Sequence, residues 1–271
     1  VSLPPKFPVD ELHGNRSQVV FSAAPPWTKT IARCELSDLC IVWFRRRPEP
    51  RARITFLQAK LSKDRHDLCV ARSASISEDF IGDSTQWYLL HNRPTIVGRF
   101  QTFKPPTNLL SNALLPSVAS FAVFHRNLDR CYNFFYASAD TVISQTPSRP
   151  GKAKLKANGP ALTATVKTYT EQKWACCPLI FGAALFEGLI GTPIDYDGIA
   201  SPIDDAYRQE ARRWLARCLA TARQQQQVIG PVITSFLQTF DLVALDNQNS
   251  ELPGRAMIFI RGDKEENPER L

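Results

Sequence analysis

Asp38-Leu-Cys-Ile-Val-Trp-Phe44 and Ile54-Thr-Phe-Leu-Gln58-Ala-Lys60 are the two stretches that decide the fold of this chain. After Asp38 the first is a continuous apolar run, rich in β-branched and aromatic residues, that stops at an arginine- and proline-rich segment, which is typical of a buried strand. In the second, Gln58 and Lys60 lie on one face, because strand side chains repeat every second residue. The short link over 45–53 favours an antiparallel hairpin.

This hairpin predicts a polar cluster at its open end. Asp38 begins the first strand and Lys60 ends the second, so the two residues become neighbours, with Gln58 beside them. A carboxylate and an amide oxygen are hard ligands of the kind that Mg²⁺ prefers. A lysine next to such an ion can orient or help to deprotonate a water aimed at a phosphate. The cluster therefore predicts metal-assisted cleavage of a phosphodiester.

The same residues resemble the PD-(D/E)XK nuclease superfamily, the restriction-endonuclease-like fold. That family places an aspartate on one strand and an (Asp/Glu)-x-Lys motif on the next, here Asp38 and Gln58-Ala-Lys60. Gln58 stands where the family has its second acid, and this Gln-x-Lys form is similar to Mrr-like restriction enzymes and related defence nucleases. Glutamine offers a neutral carbonyl oxygen in place of a carboxylate. The resemblance covers roughly residues 10–70.

The resemblance implies an α/β protein with a mixed central sheet flanked by helices and with a helical C-terminal extension. It implies a DNA endonuclease that uses Mg²⁺ or Mn²⁺, in which Asp38 and Gln58 serve the metal and Lys60 positions the attacking water. A setting in bacterial anti-phage defence, a regulatory protein partner and a homodimer are also implied. A ribonuclease with the same metal site remains open.

Other interpretations of the same residues stay open beside the nuclease. An aspartate before a strand is a common turn residue, and a lysine after a strand is a common edge charge. Gln58 in place of an acid also favours a catalytically degenerate nuclease-fold subunit that binds nucleic acid or assembles with a partner. A glutamine on an otherwise apolar strand face would nevertheless be costly to bury without a partner.

Two further acids compete for a role at the metal. Glu11 lies near the end of a predicted short helix, where superfamily members often supply a glutamate, although a solvated helix-end charge explains it equally well. Glu35 precedes Asp38 by three residues, so strand parity points it to the opposite face. It reaches the site only if the chain bends, for example at Ser37.

Composition bounds these expectations. The 271 residues are 44% hydrophobic and carry a net charge of +7, which favours polyanionic partners. No apolar run reaches membrane-spanning length, and the seven cysteines lack paired Cys-x-x-Cys spacing. We also expect no secretory leader, because no charged segment followed by an apolar one is found. We therefore expect buried thiols, a cytoplasmic location and no membrane partner.

The rest of the chain predicts a domain organisation. Residues 1–145 form the nuclease-like core, 146–160 a basic loop or linker, and 161–271 a mainly helical part packed on the core as one unit. The stretch 76–91 suggests a short helix with Asp83 as its N-cap, and Asp204 to Gln227 follows the spacing of an amphipathic helix. Candidate nucleic-acid contacts are Lys152, Lys154 and Lys156 in the loop and Arg212 and Arg213 on the helix, although solvated positions explain them as well.

Overall fold

The computed structural model describes residues 17–22, 31–46, 48–65, 75–126, 132–145, 151–160, 164–166, 169–195, 202–225, 230–240, 242 and 256–261. Within these residues the chain forms fifteen strands and four α-helices. The strands are β1 (Gln18–Ser22), β2 (Ile31–Glu35), β3 (Leu39–Arg45), β4 (Arg51–Arg65), β5 (Ser75–Asp83), β6 (Val97–Gly98), β7 (Ala119–Arg126), β8 (Tyr132–Ser138), β9 (Val142–Ser144), β10 (Lys152–Pro160), β11 (Ala164–Val166), β12 (Tyr169–Glu171), β13 (Trp174–Ala175), β14 (Thr192–Pro193) and β15 (Ala256–Arg261). The helices are α1 (Ser84–Asn92), α2 (Pro178–Phe186), α3 (Pro202–Gln225) and α4 (Gly230–Thr239).

A seven-stranded mixed sheet organises the molecule. Its strands follow the order β13-β8-β7-β4-β3-β15, and β14 pairs with β4 beside the start of β7. β3 and β4 are antiparallel, whereas β4 and β7 are parallel, as are β15 and β3. The predicted hairpin is therefore confirmed, and the chain has the mixed α/β class that the sequence indicates.

The two faces of β4 follow the alternation of its sequence. Ala52, Ile54 and Phe56 pack into the larger core, while Leu57 packs into a smaller core on the other face under α2. Each of these side chains is at least 95% buried. β4 has fifteen residues, so it extends well past the usual strand of five or six and carries side chains from one end of the sheet to the other.

A second sheet corrects the prediction of a basic loop over 146–160. Lys152–Pro160 is strand β10, which pairs with β5 over nine residues and with β9 on its other side. Ala153 and Leu155 are buried, so apolar side chains alternate with the lysines and one face of the strand enters the core. The loop prediction is wrong for this part, and residues 146–150 lie outside the described residues.

Helix α1 begins one residue after the expected cap. The Asp83 carboxylate accepts hydrogen bonds from the backbone N–H groups of Thr85 (2.8 Å) and Gln86 (3.0 Å), which confirms Asp83 as the N-cap. The helix ends at Asn92, and Arg93 caps it with a left-handed backbone conformation directly before Pro94. The prediction of helix is wrong for residues 76–82, because Ser75–Asp83 pairs with β10 as strand β5.

The C-terminal third completes the main sheet as well as covering it. β13, β14 and β15 all pair with strands from before residue 145. The predicted amphipathic helix is confirmed as α3, and its fully buried Trp214 packs against Phe56 of β4 and against Phe103. None of the helices in the described ranges is long and apolar enough to cross a membrane.

Candidate functional site

Asp38 is held at the edge of the hairpin by two hydrogen bonds to β4. Its backbone N–H donates to the carbonyl of Leu57 at 3.0 Å, and its Oδ2 accepts from the backbone N–H of Ala59 at 2.9 Å. Continuing the register in which Leu39 faces Leu57 places Asp38 opposite Gln58. The bend between β2 and β3 thus delivers a carboxylate to the site in a fixed orientation.

Gln58 is fully buried on the face of β4 that packs into the larger core. Its Nε2 donates to the backbone carbonyl of Glu35 at 3.4 Å, and its Oε1 lies 3.5 Å from the ammonium nitrogen of Lys60. A buried amide with partners for both its nitrogen and its oxygen avoids most of the cost of desolvation. The expectation that Gln58 and Lys60 share a face is confirmed.

Helix α1 supplies a residue that the sequence analysis did not select. Gln86 Oε1 accepts a hydrogen bond of 2.7 Å from Lys60 Nζ, so the ammonium group lies between two glutamine oxygens. Lys60 is half-buried, and its position is therefore set by α1 as well as by its own strand. The one sequence signal that could have found Gln86 is its place in the first turn after the Asp83 cap.

The pKa of Cys34 shows which charged groups lie near Lys60. Burial raises the pKa of the Cys34 thiol well above its usual range, and the charges of Asp83 and Glu35 raise it further. Lys60 acts in the opposite direction and lowers the same pKa. The thiol therefore lies within electrostatic reach of two carboxylates and the lysine, and is neutral near pH 7.

Glu35 differs from the expectation based on strand parity. β2 ends at Glu35 and β3 begins at Leu39 in a different sheet, so the parity rule does not connect Glu35 with Asp38. The carbonyl of Glu35 contacts Gln58 directly, and its carboxylate is close enough to Cys34 to raise the pKa of that thiol. Glu11 lies outside the described residues.

The five candidate nucleic-acid contacts divide into two groups. Lys152, Lys154 and Lys156 occupy the outward face of β10, where Lys152 faces Asp83 in the register and Lys154 forms an ion pair of 2.7 Å with Asp79.

The arginines occupy a different part of the molecule. The Arg212 guanidinium lies 5.9 Å from the centre of the Phe240 ring. Burial lowers the pKa of Arg212, and the charge of Asp195 opposes that effect. Arg213 is exposed on the same helix. Asp38, Gln58, Lys60 and Gln86 are called the Lys60 cluster below. Arg212 instead interacts with Phe240 and with the charge of Asp195.

The donor set at the hairpin end fits a hard divalent cation that retains water. Among the described residues, no group of three or more His, Cys, Asp and Glu side chains is arranged to hold a metal ion. Asp38 supplies one carboxylate and Gln58 one neutral oxygen, and Mg²⁺ is commonly bound by one or two carboxylates together with waters and substrate phosphates. Within the described ranges, Glu35 included, such side chains do not form a cage of three or more around this position.

Comparison of the chain with protein-family models, with curated proteins and with solved structures gives no match in any of the three.

Proposed function

We propose that this protein is a metal-dependent nuclease that hydrolyses phosphodiester bonds in DNA, with a restriction-endonuclease-like core. The observation that carries the proposal is that Asp38 lies opposite Gln58 at one end of the β3–β4 hairpin, while Lys60 Nζ lies 3.5 Å from Gln58 Oε1 and 2.7 Å from Gln86 Oε1. If Asp38 were only a turn residue and Lys60 only an edge charge, neither the buried Gln58 nor the contact between Gln86 and the Lys60 ammonium group would be needed.

In this proposal Asp38 and Gln58 would hold Mg²⁺ or Mn²⁺, which supplies Lewis-acid activation of the phosphate and of a bound water. Asp38 is oriented for this role by the backbone N–H of Ala59. Gln58 presents its oxygen to the same side as Lys60, because its nitrogen is occupied by the Glu35 carbonyl. Lys60 would position the attacking water and stabilise the charge that develops on the phosphate.

The outward lysines of β10 support a path for the DNA backbone. Lys152 lies opposite Asp83, which caps the helix that carries Gln86, so the basic strand leads to the cluster. Lys154 is partly neutralised by Asp79 and contributes less. A role as a defence effector licensed by a regulatory protein belongs to this proposal, because uncontrolled cutting would damage the host genome.

The test is cleavage of supercoiled plasmid DNA in Mg²⁺, in Mn²⁺ and in EDTA. Lys60→Met should abolish metal-dependent cutting, because it keeps the side-chain length and removes the ammonium group. Lys63→Met is the matched control, since Lys63 is exposed on the same strand and should retain activity. Equal cutting by both variants, or cutting in EDTA, would overturn the assignment.

A catalytically degenerate subunit is the second candidate. The amide nitrogen of Gln58 makes a hydrogen bond to the Glu35 carbonyl that a carboxylate could not make, so the position has a structural use without a metal. This candidate expects salt-dependent DNA binding with no cutting under any metal condition. Binding titrations at two salt concentrations beside the plasmid assay separate the two candidates.

A further inference from the structure

A second polar cavity lies at the other end of β4. Its volume is about 200 Å³, and its charged lining consists of three arginines and two acids: Arg45, Arg51, Arg53, Glu187 and Asp195. The volume is below the range of about 300–1,000 Å³ that is usual for drug-sized ligands. The cavity therefore suits a small polar molecule.

The arginines are arranged around a buried tyrosine. The guanidinium groups of Arg51 and Arg53 lie 5.2 and 5.7 Å from the centre of the Tyr169 ring. Arg53 is 7% exposed and donates to the Gly191 carbonyl at 3.2 Å. Burial lowers the pKa of Arg53 to about 10, so it stays charged at neutral pH. Positive charge is thus fixed on one wall of the cavity.

Two buried polar atoms of residues that line this cavity have no hydrogen-bond partner among the described residues. One is Nε of Arg45 and the other is Oδ1 of Asp195, and both atoms are buried. Asp195 is 1% exposed, and its other oxygen accepts from the Tyr169 hydroxyl at 3.1 Å and lies 3.5 Å from Arg51. A buried carboxylate oxygen and a buried guanidinium nitrogen without partners are costly. A ligand that accepts a hydrogen bond from Arg45 Nε and donates one to Asp195 Oδ1 removes that cost.

The cavity is separate from the Lys60 cluster. Arg51 and Arg53 are odd-numbered on β4, and Gln58 and Lys60 are even-numbered, so the two groups project from opposite faces of the sheet. Gln58 lies five positions after Arg53, which corresponds to roughly 16 Å along a strand. The arginines therefore do not belong to the Lys60 cluster.

We propose that this cavity binds a small phosphate monoester that also carries a hydroxyl group. The phosphate lies against the guanidinium group of Arg45, a group that can match two phosphate oxygens at once. Arg51 lies beside it and adds positive charge, with its two terminal nitrogens 3.2 Å from Glu49 Oε2 and 3.5 Å from Asp195 Oδ2. The hydroxyl donates to Oδ1 of Asp195. An anion without a donor satisfies the arginine side alone, so the carboxylate selects for the hydroxyl. This inference goes beyond the nuclease proposal and does not depend on it.

The experiment is calorimetric titration of the full chain with ribose 5-phosphate, compared with ribose, with inorganic phosphate and with sodium sulfate at equal ionic strength. Ribose 5-phosphate should bind more tightly than inorganic phosphate, and ribose should not bind. Arg45→Gln should weaken ribose 5-phosphate binding at least tenfold. Arg126→Gln, which changes an exposed arginine on β7, is the matched control and should leave the affinity unchanged.

Asp195→Asn tests the other half of the site. Asparagine keeps the shape of the side chain and presents either an oxygen or an amide group to the cavity, so the preference for ribose 5-phosphate over inorganic phosphate should shrink or vanish. Circular dichroism of each variant establishes that it is folded. The proposal is overturned if ribose 5-phosphate binds Arg45→Gln as tightly as the unmodified protein, if sulfate at equal ionic strength binds equally well, or if no heat is seen.

Discussion

Replacing Gln58 by glutamate restores the acid of the nuclease motif and puts the proposed metal site under direct test. Gln58 is fully buried, and its amide nitrogen donates to the Glu35 carbonyl at 3.4 Å. In Gln58→Glu that hydrogen bond is lost, and a carboxylate oxygen faces a carbonyl oxygen. A second carboxylate also arrives opposite Asp38, and Lys60, 3.5 Å from the present amide oxygen, offsets part of its charge.

The expected cost without metal follows from these contacts. Losing a buried hydrogen bond costs about 1 kcal/mol, and an incompletely paired buried charge costs a few kcal/mol more. We expect the free energy of unfolding of Gln58→Glu to fall by about 3 kcal/mol in EDTA. For a chain of this size that loss lowers the melting temperature by roughly 5–10 °C.

Magnesium should reverse much of this loss in the variant. A ligand present at a hundredfold excess over its dissociation constant stabilises the folded state by about 2.7 kcal/mol. The charged oxygen of the glutamate binds Mg²⁺ more strongly than the neutral amide does, so the gain should be larger in Gln58→Glu than in the unmodified protein. Thermal denaturation in EDTA and in Mg²⁺ measures both quantities.

Gln172→Glu provides the matched control. Gln172 is half-buried, and its amide nitrogen also donates to a backbone carbonyl, that of Trp174, at 2.9 Å. This variant should lose stability and recover none of it in Mg²⁺. The reasoning is refuted if Mg²⁺ stabilises Gln58→Glu no more than the unmodified protein, or if Gln172→Glu recovers to the same extent.

Three further predictions concern Gln86, Gly188 and Asp195. Gln86→Leu removes the 2.7 Å contact to Lys60 and should lower kcat about tenfold with unchanged KM for DNA; a change in KM alone would contradict a positioning role. Gly188→Ala should lower the free energy of unfolding by about 1–3 kcal/mol, because φ is +68° at this residue and a Cβ atom would lie 2.7 Å from the Trp43 ring. Urea denaturation measures this loss, and an unchanged midpoint would refute the clash. Burial raises the pKa of Asp195 above 3.8, so the folded state holds that proton more tightly than the unfolded chain, and stability should fall as pH rises through the raised pKa. Thermal melts from about pH 4 to pH 8 should show this slope in the unmodified protein and lack it in Asp195→Asn.

The hairpin could be predicted because its information is local. An apolar run, a turn and an alternating run specify two adjacent antiparallel strands, and the alternation fixes which side chains share a face. The pairing of β3 with β4 and the common face of Gln58 and Lys60 followed from residues 38–60 alone. The cap at Asp83 was equally local, since an aspartate beside the first helical turn accepts backbone N–H groups within three residues.

Strand β10 was missed because its local signals disagreed. Lys152, Lys154 and Lys156 alternate with Ala153 and Leu155, which is the period of a strand, but flanking proline and glycine residues favoured a loop. β10 is a strand because it pairs with β5 and β9. The sequence around residue 152 does not indicate these pairing partners, which lie elsewhere in the chain.

The second cavity and the Gln86 contact could not be predicted for a related reason. Arg53 meets the Gly191 carbonyl across 138 residues of sequence, and Lys60 meets Gln86 across 26. Such contacts depend on how the strands and helices pack together, and neither partner has an unusual local sequence. The sequence alone therefore predicts which types of ligand lie at the hairpin. It does not predict the residues that hold those ligands in place, because these are brought there by tertiary packing.

The length of chain between Arg53 and Gln58 on β4 is constrained more tightly than the identity of the residues within it. Successive side chains of a strand point to opposite faces of the sheet. Inserting or deleting one residue there would therefore move either the arginines or the Gln58–Lys60 pair to the other face. The register of β4 against β7 is irregular only between Leu61 and Arg65, beyond both groups. Homologues of this protein should therefore vary in amino-acid type along this segment while keeping its residue count, and length changes should collect after Leu61.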